Sequence, residues 1–100
     1  MNLLTKSEWQ TLADDERGKL RLEFNSGMAF LHLELRRPME GLRAVRAGFP
    51  ALKEMLRNRG YEKVNVIIPE NDEKLHRFET MFGFRDVRCA GGQRLMSQEC

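Results

Sequence analysis

The sequence predicts a mixed α/β domain of the α+β type, with one mixed sheet and helices on both of its faces. Two observations indicate this class: apolar residues alternate with period two in some segments and recur every three or four residues in others. With 100 residues, 41% hydrophobic and 32% charged, the chain has room for one hydrophobic core. We therefore expect a single domain over residues 1–100, with its elements in the order α-β-β-α-β-α-β-β.

The first half of the chain predicts a helix followed by a strand hairpin. Residues 5–16 predict the opening helix, because a capping-box pattern begins this segment and its apolar side chains share one helical face. From residue 19 the apolar period changes to two, which predicts a strand over 19–24. Asn25-Ser26-Gly27 predicts a tight turn, and residues 28–35 predict the returning strand. Because both faces of that strand carry apolar residues, we expect an interior strand covered on two sides.

The second half predicts two further helices and three short strands. An amphipathic helix follows Pro38 and runs to about residue 58, and Pro50 predicts a kink or a break into two abutting helices. The remaining elements are a buried strand over 64–68, a helix capped by Glu70 or Asn71 and closed by Gly83, a strand over 84–89 and a possible edge strand over 93–96.

Composition excludes several classes of protein. No apolar run is long enough to span a membrane, and the first residues lack the apolar region of a signal peptide, so we expect a cytoplasmic protein that does not bind membranes. The two thiols, Cys89 and Cys100, are expected to be reduced. The net charge of +2 does not favour nucleic acid as a partner.

Positive charge is concentrated in residues 36–63, which contain eight basic and three acidic side chains. A solvated helix face and a local site for an anion would each account for this distribution. The helix that follows strand 28–35 would place free N–H groups, the positive end of its dipole and several arginines together, which is the arrangement that binds a pyrophosphate.

Candidate catalytic groups are few. His32 and Glu34 lie two residues apart on one strand face, so they would form a general-base pair if that face lines a cleft. A polar patch on a partly covered sheet is the alternative. Cys89 has no histidine brought near it by sequence spacing, which argues against a cysteine hydrolase. The histidines and cysteines also lack metal-ligand spacing, so we expect no metal site.

The segment from Arg59 to Phe84 contains a recognisable sequence motif. Arg59-Gly60 precedes a strand, Pro69-Glu70-Asn71 follows it, and the next helix ends in Phe78-Glu79-Thr80-Met81-Phe82-Gly83-Phe84. This motif resembles the sequence pattern in the C-terminal half of the GNAT N-acetyltransferase superfamily. The preceding helix and strand hairpin also follow that family's order of elements.

The resemblance implies a GNAT-like acyltransferase fold that transfers an acetyl group from acetyl-CoA to an amine. In this family acetyl-CoA enters a wedge where two parallel strands separate, here 28–35 and 64–68. The residue roles that the resemblance implies are Arg43, Arg46 and Gly48 for the phosphates, Val66 and Ile67 for pantetheine, Asn71 and Phe78 beside the cofactor arm, Glu34 as a base and Glu79 at the acid position.

The chain departs from the family's pattern in three respects. The family's phosphate loop reads [Q/R]-x-x-G-x-[G/A], and the string at 43–48 has Arg46 in place of the central glycine. Glu79 stands where the family's usual tyrosine acid stands, and it would be ionised near neutrality unless it is buried. The chain is also shorter than a typical member, so we expect it to lack the first strand and one early helix.

These departures leave two functions open. The first is a truncated acetyltransferase that retains its activity. The second is a non-catalytic interaction module, similar to the small GNAT-like proteins of bacteriophages, acting on a protein partner in the virion or the host cytoplasm. Because so short a chain leaves part of its sheet in need of cover, we also expect a homodimer.

Overall fold

The computed structural model describes residues 7–100 and contains a six-stranded mixed sheet with two helices. The strands lie in the order β1-β2-β3-β4-β6-β5, and β3 and β4 form the parallel pair in an otherwise antiparallel sheet. The elements are β1 (Glu8–Asp15), β2 (Gly18–Asn25), β3 (Met28–Leu35), α1 (Pro38–Asn58), β4 (Lys63–Pro69), α2 (Glu73–Met81), β5 (Arg85–Ala90) and β6 (Gln93–Glu99). The predicted mixed sheet of the α+β class is confirmed.

Both helices pack on the same face of the sheet. Gln98 of β6 accepts a hydrogen bond from Lys53 of α1 at 2.8 Å and donates one to the carbonyl oxygen of Phe82, the C-cap of α2, at 3.2 Å. The ring centroids of Phe49 and Phe82 lie 4.9 Å apart, so the two helices also contact each other. The prediction of helices on both faces is therefore wrong. We call the helix-bearing side the covered face and the other side the open face.

The hydrophobic core lies between the covered face and the helices. On β4, Val64, Val66 and Ile68 point to the covered face and are buried, whereas Ile67 points to the open face and is 48% exposed. Asn65 also points to the open face but is buried. This alternation follows from the pleat of a strand that is covered on one side only. The core consists of Leu22, Ala29, Phe49, Leu52, Leu56, Val64, Val66, Ile68, Phe84 and Met96.

The predicted opening helix is wrong where the structure describes it, since residues 8–15 form strand β1; residues 5 and 6 lie outside the described part. β1 pairs antiparallel with β2, and the register shifts between Thr11 and Ala13. This β-bulge interrupts the period of two. As a result Trp9 lies on the open face while Leu12 packs against the core. The spacing of apolar residues that predicted a helix belongs to a bulged edge strand.

Three further expectations need correction. α1 is one continuous helix with Pro50 inside it, so the alternative of two abutting helices is wrong, whereas the kink at Pro50 stays a prediction. The N-cap of α2 is Asp72, not Glu70 or Asn71, and its carboxylate accepts the N–H of Leu75 at 3.0 Å. Strand β6, predicted over 93–96 as an edge, lies between β4 and β5 because the β5–β6 hairpin folds back into the sheet.

The β2–β3 hairpin is confirmed, with Ser26 and Gly27 at positive φ in its turn. β3 is an interior strand, but its open face has no helix over it among residues 7–100. Cys89 and Cys100 are not joined in a disulfide, and Cys89 is exposed. Neither helix in the described part of the chain has the length and apolar character needed to cross a membrane.

Candidate functional site

A cleft opens between the parallel strands β3 and β4. The two strands are paired at one position, Phe30 with Asn65. Asn65 is only 5% exposed, and its side-chain amide donates a hydrogen bond to the carbonyl oxygen of Ala29 at 3.0 Å, which fastens the strands at that point. Beyond this pair the strands separate and leave a cleft of about 880 Å³. The wedge expected between these two strands is confirmed.

The cleft passes through the sheet from one face to the other. Side chains from both faces of β3 line it: Leu31, Leu33 and Leu35 from the covered face, and His32 and Glu34 from the open face. Two molecules could therefore approach the same gap from opposite sides. Apolar residues and two further carboxylates also line it: Val66, Ile67, Ile68, Leu75, Phe78, Phe82, Phe84, Pro38, Leu42 and Val45, with Asp72 and Glu79.

Positive charge gathers around the cleft, and α1 begins at its edge. α1 has Pro38 in its first turn and no side-chain cap, and its N-terminal hydrogen bond runs from the N–H of Gly41 to the carbonyl oxygen of Arg37. The N–H groups of Met39 and Glu40 therefore have no helical acceptor, and the helix dipole is positive here. Four cationic side chains also line the cleft: Lys19, Arg21, Arg36 and Lys74.

Glu79 is a buried carboxyl group in the wall of the cleft. It projects from α2 and is 9% exposed, and no hydrogen bond from the described residues reaches its carboxyl oxygens. Burial raises the pKa of Glu79 to about 7. Near neutral pH this group is therefore divided between its protonated and ionised forms, so it is able to donate a proton.

The predicted pairing of His32 with Glu34 is not present, although both side chains line the cleft. Glu34 is paired with Arg36 at 2.9 Å, and its side chain is 63% exposed. His32 instead contacts Glu23, with 2.9 Å between Nε2 and Oε1. The histidine therefore has a carboxylate partner on the neighbouring strand β2 and not two residues along its own strand.

An aromatic and charged cluster surrounds His32 on the open face. The ring centroids of Trp9 and His32 lie 4.7 Å apart, and the guanidinium carbon of Arg21 lies 4.6 Å from the centroid of the Trp9 ring. Ser7 donates a hydrogen bond to Glu23 at 2.6 Å, and this bond, followed by the one to His32, lowers the pKa of Glu23. Sequence reasoning missed Trp9, Arg21 and Glu23 because it placed the first of them on a helix.

Comparison with known proteins rests on structure alone, since no family model and no curated protein matches the sequence. The PaiA N-acetyltransferase of Thermoplasma acidophilum, in complex with coenzyme A, is similar at a TM-score of 0.67 and 14% identity, over 83% of this chain and 53% of that one. An acetyltransferase of Thermus thermophilus gives 0.62 and 19% over 99% and 66%. One of Streptococcus agalactiae gives 0.61 and 16% over 83% and 59%.

The chain has a GNAT acetyltransferase fold. It spans between 53% and 66% of the length of those three structures. In the described residues the sheet begins with the β1–β2–β3 meander, and no helix covers the open face. The cleft between β3 and β4 is the place where the GNAT resemblance puts acetyl-CoA.

The residues that the GNAT resemblance assigned to the phosphates lie inside helix α1 and not at its N-terminus. Arg43, Arg46 and Gly48 lie inside α1, where backbone N–H groups are committed to helical hydrogen bonds, and they do not line the cleft. The strand–helix junction is instead 36–41, reading Arg-Arg-Pro-Met-Glu-Gly, which matches the family's loop except for Met39 at the central glycine. Its last residue, Gly41, is so closely packed that a Cβ atom would lie 2.7 Å from Leu35 Cδ2.

The other predicted site residues divide into two groups. Val66, Ile67 and Phe78 line the cleft, as the GNAT resemblance implied for residues beside the cofactor arm. Asn71 lies in the exposed turn before α2 and is not part of the lining. Among residues 7–100, no group of three or more His, Cys, Asp and Glu side chains is close enough together to hold a metal ion.

Proposed function

We propose that this domain binds acetyl-CoA in the cleft between β3 and β4 and transfers its acetyl group to an amine. The observation that carries the proposal is the single register pair between the strands, Phe30 with Asn65. Beyond that pair, backbone N–H and C=O groups on the facing edges of both strands have no partner across the gap. An extended arm with amide groups, such as pantetheine, suits a strand edge of this kind.

The mouth of the cleft suits the phosphates of the same molecule. The N-terminus of α1 offers the N–H groups of Met39 and Glu40, and the side chain of Lys74 lines the adjoining wall. Arg36 also lies there, paired with Asp14 and Glu34. Backbone donors and fixed positive charge together favour a bound pyrophosphate. We assign the phosphates to this junction and not to Arg43 and Arg46, which lie farther along the helix.

Glu79 has the properties of the proton donor. The bound thioester supplies the acetyl group, and the thiolate that leaves must take up a proton. Glu79 lies in the cleft wall, and its pKa of about 7 keeps a substantial protonated fraction at neutral pH. The carboxyl group thus takes the place of the family's tyrosine, because burial raises its pKa.

The test is acetyl-CoA binding, measured by calorimetry and by thermal shift. At 100 times its Kd, acetyl-CoA should stabilise the fold by about 2.7 kcal/mol. Ile67→Trp places a large ring in the cleft and should weaken binding at least tenfold, whereas Val87→Trp, at a similarly exposed apolar residue on β5, should leave it unchanged.

Absence of any binding at millimolar acetyl-CoA would refute the proposal. It would leave the non-catalytic interaction module, including a phage virion or host-takeover role, as the function to pursue. Equal binding to the wild type and to Ile67→Trp would instead show that the ligand does not occupy this cleft.

A further inference from the structure

The cluster on the open face contains a cation that no carboxylate in the described residues neutralises. Arg21 makes no hydrogen bond and no ion pair with any residue in 7–100, and its guanidinium lies over the ring of Trp9. It is the direct cross-strand partner of His32, which places the two side chains next to each other on one face. Both side chains line the cleft.

His32 is held in one orientation by its neighbours. The carboxylate of Glu23 lies 2.9 Å from Nε2, and the hydrogen bond from Ser7 keeps that carboxylate ionised. Nε2 is therefore the nitrogen that carries the proton in neutral His32, and Nδ1 carries the lone pair. The ring of Trp9 packs against the imidazole, whose side chain is 38% exposed and thus accessible from the open face.

We propose that the amine acceptor is a small molecule with a carboxylate next to its amino group, as in an α-amino acid, and that it enters from the open face. Arg21 would bind the carboxylate, and His32 would accept the proton of the amino group. The carboxylate and the amino group of such a molecule are attached to the same carbon. They can therefore reach Arg21 and His32 together, because these side chains are neighbours across the β2–β3 strand pair. This inference rests on the proposed function of the cleft.

The transfer step balances with the groups present. The amino nitrogen forms a bond to the carbonyl carbon of the thioester, and the carbon–sulfur bond breaks with its electron pair going to sulfur. The amine's proton goes to Nδ1 of His32, and the proton of Glu79 goes to the sulfur. The products are an N-acetyl amino acid and free CoA, and return of the proton from His32 to Glu79 through water restores both groups.

The first test measures acceptor binding without turnover. Trp9 is the single tryptophan in the chain, so its fluorescence reports directly on the cluster. A panel of L-amino acids is titrated in the presence of CoA, each beside its own carboxamide. We expect at least one amino acid to change the Trp9 emission with an affinity ten or more times that of its carboxamide, since only the acid presents a carboxylate to Arg21.

The second test separates binding from proton transfer. With the best amino acid and acetyl-CoA, Arg21→Gln should raise KM by about tenfold to a hundredfold with a small change in kcat, because a charge-assisted hydrogen bond is lost. The same variant should reduce the preference for the amino acid over its carboxamide. His32→Gln should lower kcat a hundredfold or more. Arg88→Gln, an exposed arginine on β5 outside the cleft, is the matched control.

The outcomes distinguish this inference from the proposed function. If acetyl-CoA does not bind, the proposed function fails. If acetyl-CoA binds but no amino acid is either bound or acetylated in preference to its carboxamide, the acceptor assignment alone is overturned. Equal effects of Arg21→Gln and Arg88→Gln on KM would also overturn it. Normal kcat in His32→Gln would exclude the histidine as the base.

Discussion

The two faces of the sheet carry different kinds of side chain. The covered face presents Leu22, Val64 and Met96, each with no exposed surface, to two amphipathic helices. The open face presents Trp9, Arg21, Glu23, His32 and Ile67, which are exposed or half-buried. Burial of apolar surface stabilises proteins, whereas charged and aromatic groups within reach of solvent can meet a ligand. In this domain the hydrophobic core lies on one face, and most of the exposed aromatic and charged side chains of the cluster lie on the other.

The cleft is the place where these two environments meet. Glu79 faces it from the covered side, where burial alters its acidity, and His32 faces it from the open side, where a carboxylate orients it. An acid and a base can thus keep different environments within one gap. Substitutions on each face test whether the core residues of the covered face contribute more to stability than the residues of the open face.

The largest effect is expected from a core residue on the covered face. Leu22→Ala should lower the free energy of unfolding by about 2–5 kcal/mol, because the residue is fully buried and its removal leaves a cavity. Denaturant unfolding followed by circular dichroism measures this change. Ile67→Ala, which removes a similar volume from the open face, should cost less than about 1 kcal/mol; equal losses would contradict the division.

Asn65 tests the point at which the two strands are joined. Asn65→Val removes the side-chain amide and leaves the carbonyl oxygen of Ala29 without its buried donor, so we expect a loss of about 1–3 kcal/mol in unfolding free energy. Ser97→Ala, at the other buried polar residue of the open face, should cost less than about 1 kcal/mol. If Asn65→Val is neutral, the amide does not hold the strands together.

Glu79 links stability to pH in the direction opposite to most carboxylates. Its folded pKa of about 7 exceeds the ordinary value of 4.5, so its contribution is complete below pH 4.5 and is lost as pH rises through 7. Between pH 4 and pH 8 the wild type should therefore lose about 3 kcal/mol of unfolding free energy that Glu79→Gln, which cannot ionise, does not lose. Unfolding at both pH values measures this difference, and parallel behaviour of the two proteins would refute it.

The smallest effect on stability is expected at Trp9. Because its ring is 48% exposed on an edge strand, Trp9→Ala should lower the unfolding free energy by about 1 kcal/mol or less. Thermal unfolding measures this change. The same substitution should weaken binding of the acceptor, so a large loss of stability with unchanged acceptor binding would assign the tryptophan to the core.

Sequence reasoning succeeded where local signals and tertiary packing agree. The β2–β3 turn requires residues that tolerate positive φ, and Ser26-Gly27 meets that requirement at the predicted place. The segment 59–84 also folds as its motif indicated, because Pro69 and Gly83 end elements at fixed points. The GNAT resemblance of that segment implied that β3 and β4 are parallel neighbours with a cleft between them, and the strand pairing agrees.

It failed where long-range pairing decides the structure. The bulge in β1 gives Trp9 and Leu12 a helical spacing, and only the pairing with β2 shows that the segment is a strand. The position of β6 inside the sheet likewise depends on how the last hairpin folds back. The acidity of Glu79 depends on burial by residues from α2 and the sheet, and the partner of His32 comes from another strand, so neither property is written in nearby sequence.

The contact between Phe30 and Asn65 has a mechanical consequence. The sheet consists of two sections, one of β1, β2 and β3 and the other of β4, β6 and β5. The register pair between β3 and β4 and the crossover helix α1 connect these two sections. A molecule that lies in the cleft and hydrogen-bonds to both strand edges would supply the bonds that β3 and β4 do not make with each other. Occupancy would then stiffen the whole sheet, and amide protons of β3 and β4 would slow their exchange with solvent together.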